Sequence, residues 1–363
     1  MTRRTVLGMA GASLVASAAD RAVETEVVRL KLKHTWTTTM SSSEYRDNLY
    51  VRLVADGLTG VGEGAPIVRY KENAANAAKA VESLTPMLVR SDFRQYRAAT
   101  QSVFSKLPDQ WAAKAAIDIA MLDWAGQRLG VPVWRMLGLD AAAAPVTTFS
   151  IGIDTPEITK QKVREAEPFP VLKIKVGLDK DESTMEAVRS VTKKPLRLDA
   201  NEGFKSKEEA VRKINWLESL GAEFIEQPLP AGREEEMRWV RSRVHIPVLA
   251  DEACLRAEDV PKIAGAYDGV VVKLDKTGGI VGALRMIETA RAHGLKVMLG
   301  CMISSSVTIT AAAHLSPLVD WADLDGNLLI GNDPYEGVTV AAGKLILPDR
   351  PGLGLIRRRS TAA

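Results

Sequence analysis

The first third of the chain changes from strand-like to helix-like periodicity. The segment VVRLKLK at residues 27–33 alternates apolar and polar positions over most of its length, as a half-buried strand does. Residues 48–66, NLYVRLVADGLTGVGEGAP, predict a β-hairpin whose turn is formed by Asp56 and Gly57. Over residues 71–129 apolar side chains recur three and four positions apart, which predicts helices. Strands followed by helices indicate an α+β domain.

Beyond a linker at residues 141–145, short apolar segments recur every 20 to 30 residues, with helical stretches between them. The eight segments are VTTFSI, VLKIKV, LRLDAN, EFIEQP, PVLADE, GVVVKL, KVMLGC and WADLDG. Strand–helix repeats of this number and spacing are typical of a parallel β/α barrel. A doubly wound open sheet would need a glycine-rich phosphate-binding loop after an early strand, and the sequence has none. The pattern therefore predicts a barrel.

Composition narrows the class of protein without indicating a function. With 363 residues the chain is long enough for a barrel and a smaller second domain. The formal net charge of +3 gives no indication that nucleic acid or an acidic membrane surface is a partner. Cys254 and Cys301 are too few for a disulfide framework or a structural zinc site.

The first residues resemble an export signal rather than part of the fold. Arg3 and Arg4 precede an apolar run that is too short to span a bilayer, and small residues follow it. We expect residues 1–22 to direct export by a twin-arginine-like route, to the periplasm or beyond, with cleavage after Ala18. The alternative is an uncleaved N-terminus or a misassigned start, which would leave the protein in the cytoplasm.

Charged residues stand at the carboxyl ends of the predicted barrel strands, where barrels of this kind carry their sites. Lys173 and Lys175 are two positions apart and therefore share one face of the second strand, which would also suit an edge strand with one solvated face. Asp199, Glu226 and Asp251 end three successive strands, so their carboxylates are expected to converge. Unpaired carboxylates would repel one another, and an all-oxygen ligand set without histidine suits Mg²⁺.

These motifs resemble those of the enolase superfamily. The similarity lies in LKIKVG, LRLDANEGF, FIEQPLP, LADEAC and VVKLDKTGG, on the predicted second to sixth strands, and in the helical segment AAIDIAMLDWAGQRLGVPVWRMLG. The resemblance implies an N-terminal α+β capping domain over residues 23–140 and a modified (β/α)7β TIM-type barrel over residues 141–335. It also implies that residues 336–363 return to the capping domain.

The resemblance further implies roles for the charged residues. It places one Mg²⁺ per subunit on the three acids and, as in the muconate-lactonizing-like subgroup, an acid–base pair at Lys175 and Lys273. That family removes a proton next to a carboxylate, which gives an enediolate stabilised by the metal. The base must be neutral near pH 7, so we expect Lys173 and the metal to lower the pKa of Lys175. Lys173 itself would stay charged and bind the substrate carboxylate.

The two lysines do not define the reaction by themselves, since epimerisation, cycloisomerisation and dehydration could all use them. A histidine base of the mandelate racemase type is not expected, because His293 precedes the seventh strand. Asp323 and Asp325 share one face of the eighth strand. They resemble the Asp-x-Asp pair with which dipeptide epimerases of this family bind the substrate's α-ammonium group. The alternative is a pair of carboxylates that forms salt bridges with a neighbouring helix.

The resemblance to L-Ala-D/L-Glu epimerase-like members implies epimerisation of the C-terminal residue of a dipeptide, with Ser150 as a further substrate-binding residue. We expect a homo-oligomer that acts on a small dipeptide and binds neither nucleic acid nor membrane. The alternative is an N-acylamino acid racemase, an o-succinylbenzoate synthase or a cycloisomerase-type enzyme. A catalytically inactive exported binding protein is the least favoured interpretation, because no ligand or lysine of the family's set is missing.

The preferred substrate side chain stays open at this level. The loops expected to cover the barrel mouth offer Arg69 and Lys71 to an acidic side chain, and Trp36 and Met40 to an apolar one. Lys276 lies three residues after Lys273, so a continuing strand would place it on the opposite face, where it should tolerate substitution better.

Overall fold

The structure, a computed structural model, describes residues 21–359. Apart from its last two residues, the predicted export signal lies outside the described residues. No helix within this range combines the length and the apolar composition that crossing a bilayer requires.

The N-terminal part consists of a three-stranded antiparallel sheet and helices packed against it. Asp56 and Gly57 have φ values of 52° and 74°, as a two-residue hairpin turn requires, which confirms the predicted hairpin. The elements are β1 (Ala22–Thr37), β2 (Ser42–Ala55), β3 (Leu58–Gly64), α1 (Ala74–Leu88), α2 (Tyr96–Lys106), α3 (Trp111–Leu129) and α4 (Val133–Met136).

Helix α3 packs closely against β3 because alternate positions of that strand are glycine. A Cβ atom at Gly62 would lie 1.9 Å from the carbonyl oxygen of Ala116, and Gly60 and Gly64 approach the same helix equally closely. The helix is buried along most of its length and carries the apolar core of this part of the molecule. The sheet is thereby fixed relative to α3.

Eight parallel strands follow, hydrogen-bonded in chain order, and a bridge between Thr147 and Ala322 brings the first and the last together. The strands are β4 (Phe149–Ile151), β5 (Leu172–Lys175), β6 (Leu196–Asp199), β7 (Ala222–Glu226), β8 (Val248–Ala250), β9 (Gly269–Val272), β10 (Lys296–Gly300) and β11 (Trp321–Asp323). The helices are α5 (Pro156–Glu165), α6 (Asp181–Val191), α7 (Lys207–Ser219), α8 (Glu234–Arg241), α9 (Val260–Ile263), α10 (Leu274–Thr277), α11 (Ile280–Ala292) and α12 (Ser306–Ala313). After β11, a short 3₁₀ turn at Gly326–Leu329 stands in place of an eighth barrel helix. The predicted (β/α)7β barrel with a capping domain is confirmed.

The alternation of side chains along the strands separates an apolar layer from a charged one. Phe224, Leu249, Val271 and Met298 form a fully buried cluster inside the barrel. Two positions further along three of these strands, on the same face, stand a glutamate, an aspartate and a lysine. The apolar layer excludes water from below the charged residues, so the site lies at the carboxyl ends of the strands.

The β1–β2 hairpin and the C-terminal segment connect the two parts. The Thr39 hydroxyl near the hairpin tip donates to the carbonyl of Asn201 in the loop after β6, which places the tip over the barrel mouth. The backbone N–H of Leu353 donates to Asp123 of α3. The remaining strands are β12 (Tyr335–Glu336), β13 (Thr339–Ala341), β14 (Lys344–Ile346) and β15 (Ile356–Arg357). The domain bounds given by the sequence stay a prediction.

Candidate active site

Three acids converge at the barrel mouth. Asp199 ends β6, Glu226 ends β7 and pairs with it in register, and Asp251 follows β8 directly. One carboxylate oxygen from each lies within 4.8 Å of the others, and all three side chains are buried. Parallel strands bring their carboxyl ends to one edge, so the convergence follows from the register.

Within this cluster, Glu226 is the acid whose oxygens lack hydrogen-bond partners among the described residues. Neither carboxylate oxygen of Glu226 accepts a well-directed hydrogen bond from the residues that the structure describes, although Lys173 Nζ lies 2.7 Å from one of them. Burial, and then the neighbouring Asp199, raise the pKa of Glu226 well above its usual value. An all-oxygen set with unsatisfied, buried lone pairs fits a hard divalent cation such as Mg²⁺.

Two lysines flank the acid cluster from different strands. Lys175 Nζ, at the end of β5, donates to Asp199 Oδ2 at 2.5 Å and to Asn201 Oδ1 at 3.0 Å. Lys273 Nζ, after β9, donates to Asp251 Oδ2 at 2.7 Å. Three strands, β6, β7 and β8, lie between these two lysines, which therefore stand on either side of β7. The structure thus brings together both predicted acid–base residues and all three predicted metal ligands.

Lys173 occupies the middle of the site. Its Nζ lies 2.7 Å from Glu226, 3.2 Å from Asp199 and 2.7 Å from Asp323. Burial disfavours its charge, but Asp323, Glu226 and Asp199 outweigh burial and raise the pKa of Lys173 well above its usual value. The expectation that Lys173 stays charged agrees with these contacts.

Lys273, the second candidate base, has carboxylate neighbours that favour its charged form. Burial again opposes the charge, but Asp251 and Glu226 raise the pKa of Lys273 well above its usual value. The reason is that the neighbouring carboxylates stabilise the Lys273 ammonium more than the nearby Lys173 ammonium repels it. The lowered pKa expected from the sequence for Lys175 stays a prediction.

Lys276 corrects one expectation. Strand β9 ends at Val272 and the chain turns into α10, so Lys276 does not point to the opposite face of a continuing strand. Its fully buried Nζ donates to Asp251 Oδ1 at 2.6 Å and to the Asp251 carbonyl at 2.8 Å. Lys276 and Lys273 therefore bond to different carboxylate oxygens of Asp251, and the expected tolerance of substitution does not follow.

Asp323 and Asp325 lie beside Ser150 and have different partners. Asp323 accepts from Lys173 Nζ at 2.7 Å and from the hydroxyls of Thr148 and Ser150. Asp325 accepts the Ser150 backbone N–H at 2.5 Å, and no described lysine or arginine forms an ion pair with it. Burial, and then the Asp323 charge, raise the pKa of Asp325 to about 7. Asp325 is therefore the member of the pair whose charge still lacks a cation.

The acids of the mouth outnumber its lysines. Six buried carboxyl groups lie there with four buried lysines, an excess of two acidic groups. The groups are Asp199, Glu226, Asp251, Glu252, Asp323 and Asp325, with Lys173, Lys175, Lys273 and Lys276.

Sequence reasoning missed two polar residues that support the lysines and acids. Glu252 accepts from Asn201 Nδ2 at 3.2 Å, and Asn201 in turn accepts from Lys175. Burial, and then Asp251, raise the pKa of Glu252 to about 7. Asn201 stands two positions after Asp199 in LRLDAN, and this spacing is the only local signal that could have indicated it.

The four candidate specificity residues in the loops over the mouth differ in their exposure and in their contacts. Arg69 Nη2 lies 2.7 Å from Glu202, so its charge is already compensated, and Lys71 is exposed. Trp36 packs over Gly152 at the end of β4, whereas Met40 is exposed. These contacts weaken the case for Arg69 as a receptor for a substrate carboxylate.

Comparison with known families agrees with this arrangement. Residues 22–138 match the mandelate racemase / muconate lactonizing enzyme N-terminal domain, and residues 158–359 match the enolase C-terminal domain-like family. The chain belongs to the enolase superfamily, as its motifs predicted.

Several relatives of the chain belong to one class of enzyme within this superfamily, the dipeptide epimerases. An L-Ala-D/L-Glu epimerase of Bacteroides thetaiotaomicron is 40% identical over 335 residues, which cover 90% of this chain and 86% of the relative. An L-Ala-D/L-amino acid epimerase of Pedosphaera parvula is 42% identical over 89% of this chain and 94% of its own. The crystal structure of a dipeptide epimerase from Cytophaga hutchinsonii, complexed with Mg and the dipeptide D-Ala-L-Val, matches with a TM-score of 0.88 at 26% identity, covering 94% and 97% of the two chains.

Proposed function

We propose that the protein is a Mg²⁺-dependent dipeptide epimerase that inverts the α-carbon of the C-terminal residue. The observation that carries the proposal is the placement of Lys175 and Lys273 on either side of the acid cluster, with the uncompensated Asp325 at the same barrel mouth. The relatives named above act on such substrates.

Asp199, Glu226 and Asp251 would hold the metal. When bound, Mg²⁺ supplies positive charge beside the substrate carboxylate and so makes the adjacent α-proton more acidic. Lys173 would keep its proton, because three carboxylates surround its ammonium, and would add a second positive charge next to the same carboxylate. The buried apolar layer below excludes water and keeps these interactions strong.

The two lysines would transfer the proton. One lysine, in its neutral form, removes the α-proton from one face of the substrate, and the other, as an ammonium, donates a proton to the opposite face. For the other stereoisomer the roles exchange. Each lysine must release its carboxylate partner to act, which requires Lys175 to leave Asp199 and Lys273 to leave Asp251.

Asp325 would bind the free α-ammonium group of the dipeptide. Its carboxylate is buried without a cationic partner among the described residues, so an ammonium supplied by the substrate would complete the pairing. Muconate and succinylbenzoate carry no ammonium and would be repelled there. This difference favours a dipeptide over the substrates of cycloisomerases and dehydratases.

The test is solvent exchange. Purified protein with Mg²⁺ and a mixed dipeptide library in D₂O should incorporate one deuteron into each substrate, which mass spectrometry detects. A preference for N-acylated amino acids over free dipeptides would instead support an N-acylamino acid racemase. Absence of exchange in both sets would support a binding protein.

Arg46 favours a substrate whose epimerised residue is acidic. Arg46 pairs in register with Leu30, so both side chains share a face of the sheet, and Leu30 packs against Ile303 and Ile330 beside the barrel mouth. Burial lowers the pKa of Arg46, and its guanidinium donates only to the Tyr45 carbonyl, with no carboxylate in reach among the residues described. An acidic substrate side chain would supply the missing partner.

L-Ala-L-Glu and L-Ala-L-Gln differ in that charge alone and make the test. A charge-assisted hydrogen bond should give the wild type a preference in kcat/KM for the glutamate dipeptide of about 10- to 100-fold, which Arg46→Gln should lose. Arg69→Gln is the matched control, because Glu202 already compensates Arg69, and it should keep the preference. Equal kcat/KM for both dipeptides in the wild type would rule out this role of Arg46 without affecting the epimerase proposal.

The export signal remains part of the proposal. The arginine pair and the short apolar run support transport of the folded enzyme to the periplasm or beyond, where cell-wall peptides could supply dipeptides. Cell fractionation with N-terminal sequencing tests it, and full-length protein confined to the cytoplasm would contradict it.

A further inference from the structure

Gln227 occupies an unusual position beside the acid cluster. It follows Glu226 directly and has a φ of 38°, in the left-handed region that glycine favours. Asn201 and Glu202, just after the Asp199 strand, share this conformation. Among the described residues, positive φ at non-glycine positions thus recurs immediately after two of the three strands that carry the acids. Such conformations persist where the surrounding structure enforces them.

The Gln227 carboxamide is fully buried and uses all four of its hydrogen-bonding positions. Its Oε1 accepts the backbone N–H of Asp251 at 3.0 Å and that of Ala253 at 3.1 Å. Its Nε2 donates to the Leu229 carbonyl at 2.8 Å and to the Tyr267 hydroxyl at 3.0 Å. The amide therefore has no free hydrogen-bonding position for a substrate, and Gln227 can influence the site only through the residues to which it bonds.

These bonds continue the sheet beyond the ends of its strands. Strands β7 and β8 pair in register through two residue pairs, the last of which is Glu226 with Leu249. The bond from the Gln227 backbone N–H to the Leu249 carbonyl, at 2.9 Å, lies just beyond that pair. Beyond this bond the Gln227 side chain supplies the hydrogen bonds, because its oxygen accepts the N–H groups of Asp251 and Ala253 after β8. The chain segment carrying Asp251 is therefore held by a side chain of the neighbouring strand.

The backbone of Gln227 connects the third ligand strand as well. Its carbonyl accepts the N–H of Glu202 at 2.8 Å, in the loop that follows Asp199. One residue thus bonds to the segments after β6 and β8 and is adjacent to Glu226 on β7. The mutual repulsion of the three carboxylates would otherwise favour separation of these segments.

We infer that Gln227 is a positioning residue that fixes the distance between Glu226 and Asp251 for metal binding. The inference rests on the metal site of the proposed function. Of the two polar atoms of the carboxamide, only the oxygen bonds to the Asp251 segment, so it is the essential one. The nitrogen secures the orientation of the side chain.

Removal of the amide tests this inference. Gln227→Met keeps the length of the side chain but leaves the N–H groups of Asp251 and Ala253 without their acceptor. Loss of such a supporting residue typically weakens metal affinity about 10- to 100-fold. Titration of the full-length protein with Mn²⁺, followed by electron paramagnetic resonance, measures that affinity without any substrate, and circular dichroism monitors the fold.

Two further variants separate positioning from general stability. Gln227→Glu restores the acceptor oxygen but not the donor, so it should recover most of the lost affinity. Tyr267→Phe removes a partner of the amide nitrogen only, and should lower the melting temperature while leaving the Mn²⁺ affinity within about twofold. If Gln227→Met does not fold, the glutamate and Tyr267 variants still decide the question.

Wild-type Mn²⁺ affinity in folded Gln227→Met, or a loss of about 10-fold or more in either Tyr267→Phe or Gln227→Glu, would overturn the inference. Asp251→Asn serves as the reference for the site itself. If Asp251→Asn also binds Mn²⁺ like the wild type, the metal site of the proposed function is wrong, which is a different outcome from a failure of Gln227 alone.

Discussion

Buried acids occur in two regions of the molecule, and different groups neutralise them. In the barrel mouth, four of the six acids face lysine ammonium groups, namely Asp199, Glu226, Asp251 and Asp323. Between the N-terminal part and the barrel, Glu63, Asp118, Asp123 and Asp275 face backbone N–H groups instead. Glu63 accepts from Ser305 N at 2.9 Å, for example, and Asp275 accepts from Ala65 N at 2.7 Å.

The difference separates structural acids from acids that can exchange partners. A backbone N–H is fixed by the fold, so the acids between the two parts cannot give up their donors without local unfolding. A lysine ammonium on a flexible stem can rotate away and leave its carboxylate to a metal or a substrate. Burial does not distinguish the two regions, because Asp118 and Asp199 are both inaccessible to solvent. The nature of the partner does.

Asp251→Asn should produce the largest effect. With only two anionic ligands left, the metal would be bound weakly and the activity should fall by at least about 1,000-fold, since the metal contributes several kcal/mol. Lys273 and Lys276 would also lose an anionic partner, yet the fold should persist because the barrel core is independent of this group. The measurements are calorimetric titration with Mg²⁺ and epimerisation rates. Full wild-type activity in excess EDTA would contradict the prediction. It would also mean that the acids of the barrel mouth do not serve a metal.

Lys175→Ala and Lys273→Ala come next. Each variant should lose epimerisation by about 10²- to 10⁴-fold, the usual contribution of a positioned acid or base. Each removes one partner of the proton transfer, so a variant could still exchange the α-proton of one stereoisomer with D₂O, and NMR of the two separate isomers would reveal this. Normal epimerisation by either variant would show that the two-base assignment is wrong.

Asp325→Asn should have an intermediate effect. Loss of one partner of a desolvated ion pair costs about 2–5 kcal/mol, a decrease in kcat/KM of about 30- to several thousand-fold for free dipeptides. Metal affinity should stay nearly unchanged. N-acetylation of the dipeptide should damage the wild type similarly, and the two losses should overlap because both remove the same contact. Losses that multiply would mean that Asp325 does not bind the ammonium.

Asp118→Asn should have the smallest effect, and it should change the free energy of unfolding rather than the activity. Burial raises the pKa of Asp118 to about 7, so the folded protein binds more protons than the unfolded chain between pH 4 and 7. This contribution to the free energy of unfolding is full at low pH and is lost as the pH rises toward 7. Asp118→Asn should flatten that part of the pH profile and cost about 1–3 kcal/mol through the lost acceptor.

Urea unfolding at several pH values measures this effect, and epimerisation by the same variant provides the control. We expect kcat/KM to be nearly unchanged, since Asp118 bonds to Thr100 and Val281, away from the mouth. An equal pH slope in wild type and variant would show that the pKa of Asp118 is not raised in the folded protein.

The sequence determined the fold and the positions of the candidate catalytic residues, because both follow from the two-residue repeat of strands and the 3.6-residue repeat of helices. Alternation along the strands places Asp199, Glu226 and Lys175 on the inward face at strand ends, and parallel register then requires them to converge. The hairpin turn at Asp56 and Gly57 follows equally from local chemistry.

The tertiary structure decided how these groups are held. Lys276 contacts Asp251 only because α10 begins where β9 ends, and Gln227 contacts it from a neighbouring strand. Arg69 pairs with Glu202, whereas Arg46 has no carboxylate partner among the described residues. Each of these outcomes joins segments that are distant in the chain or depends on the residue at which a strand stops. Local periodicity carries no information about either, because the hydrogen bonds concerned form only after the strands have assembled.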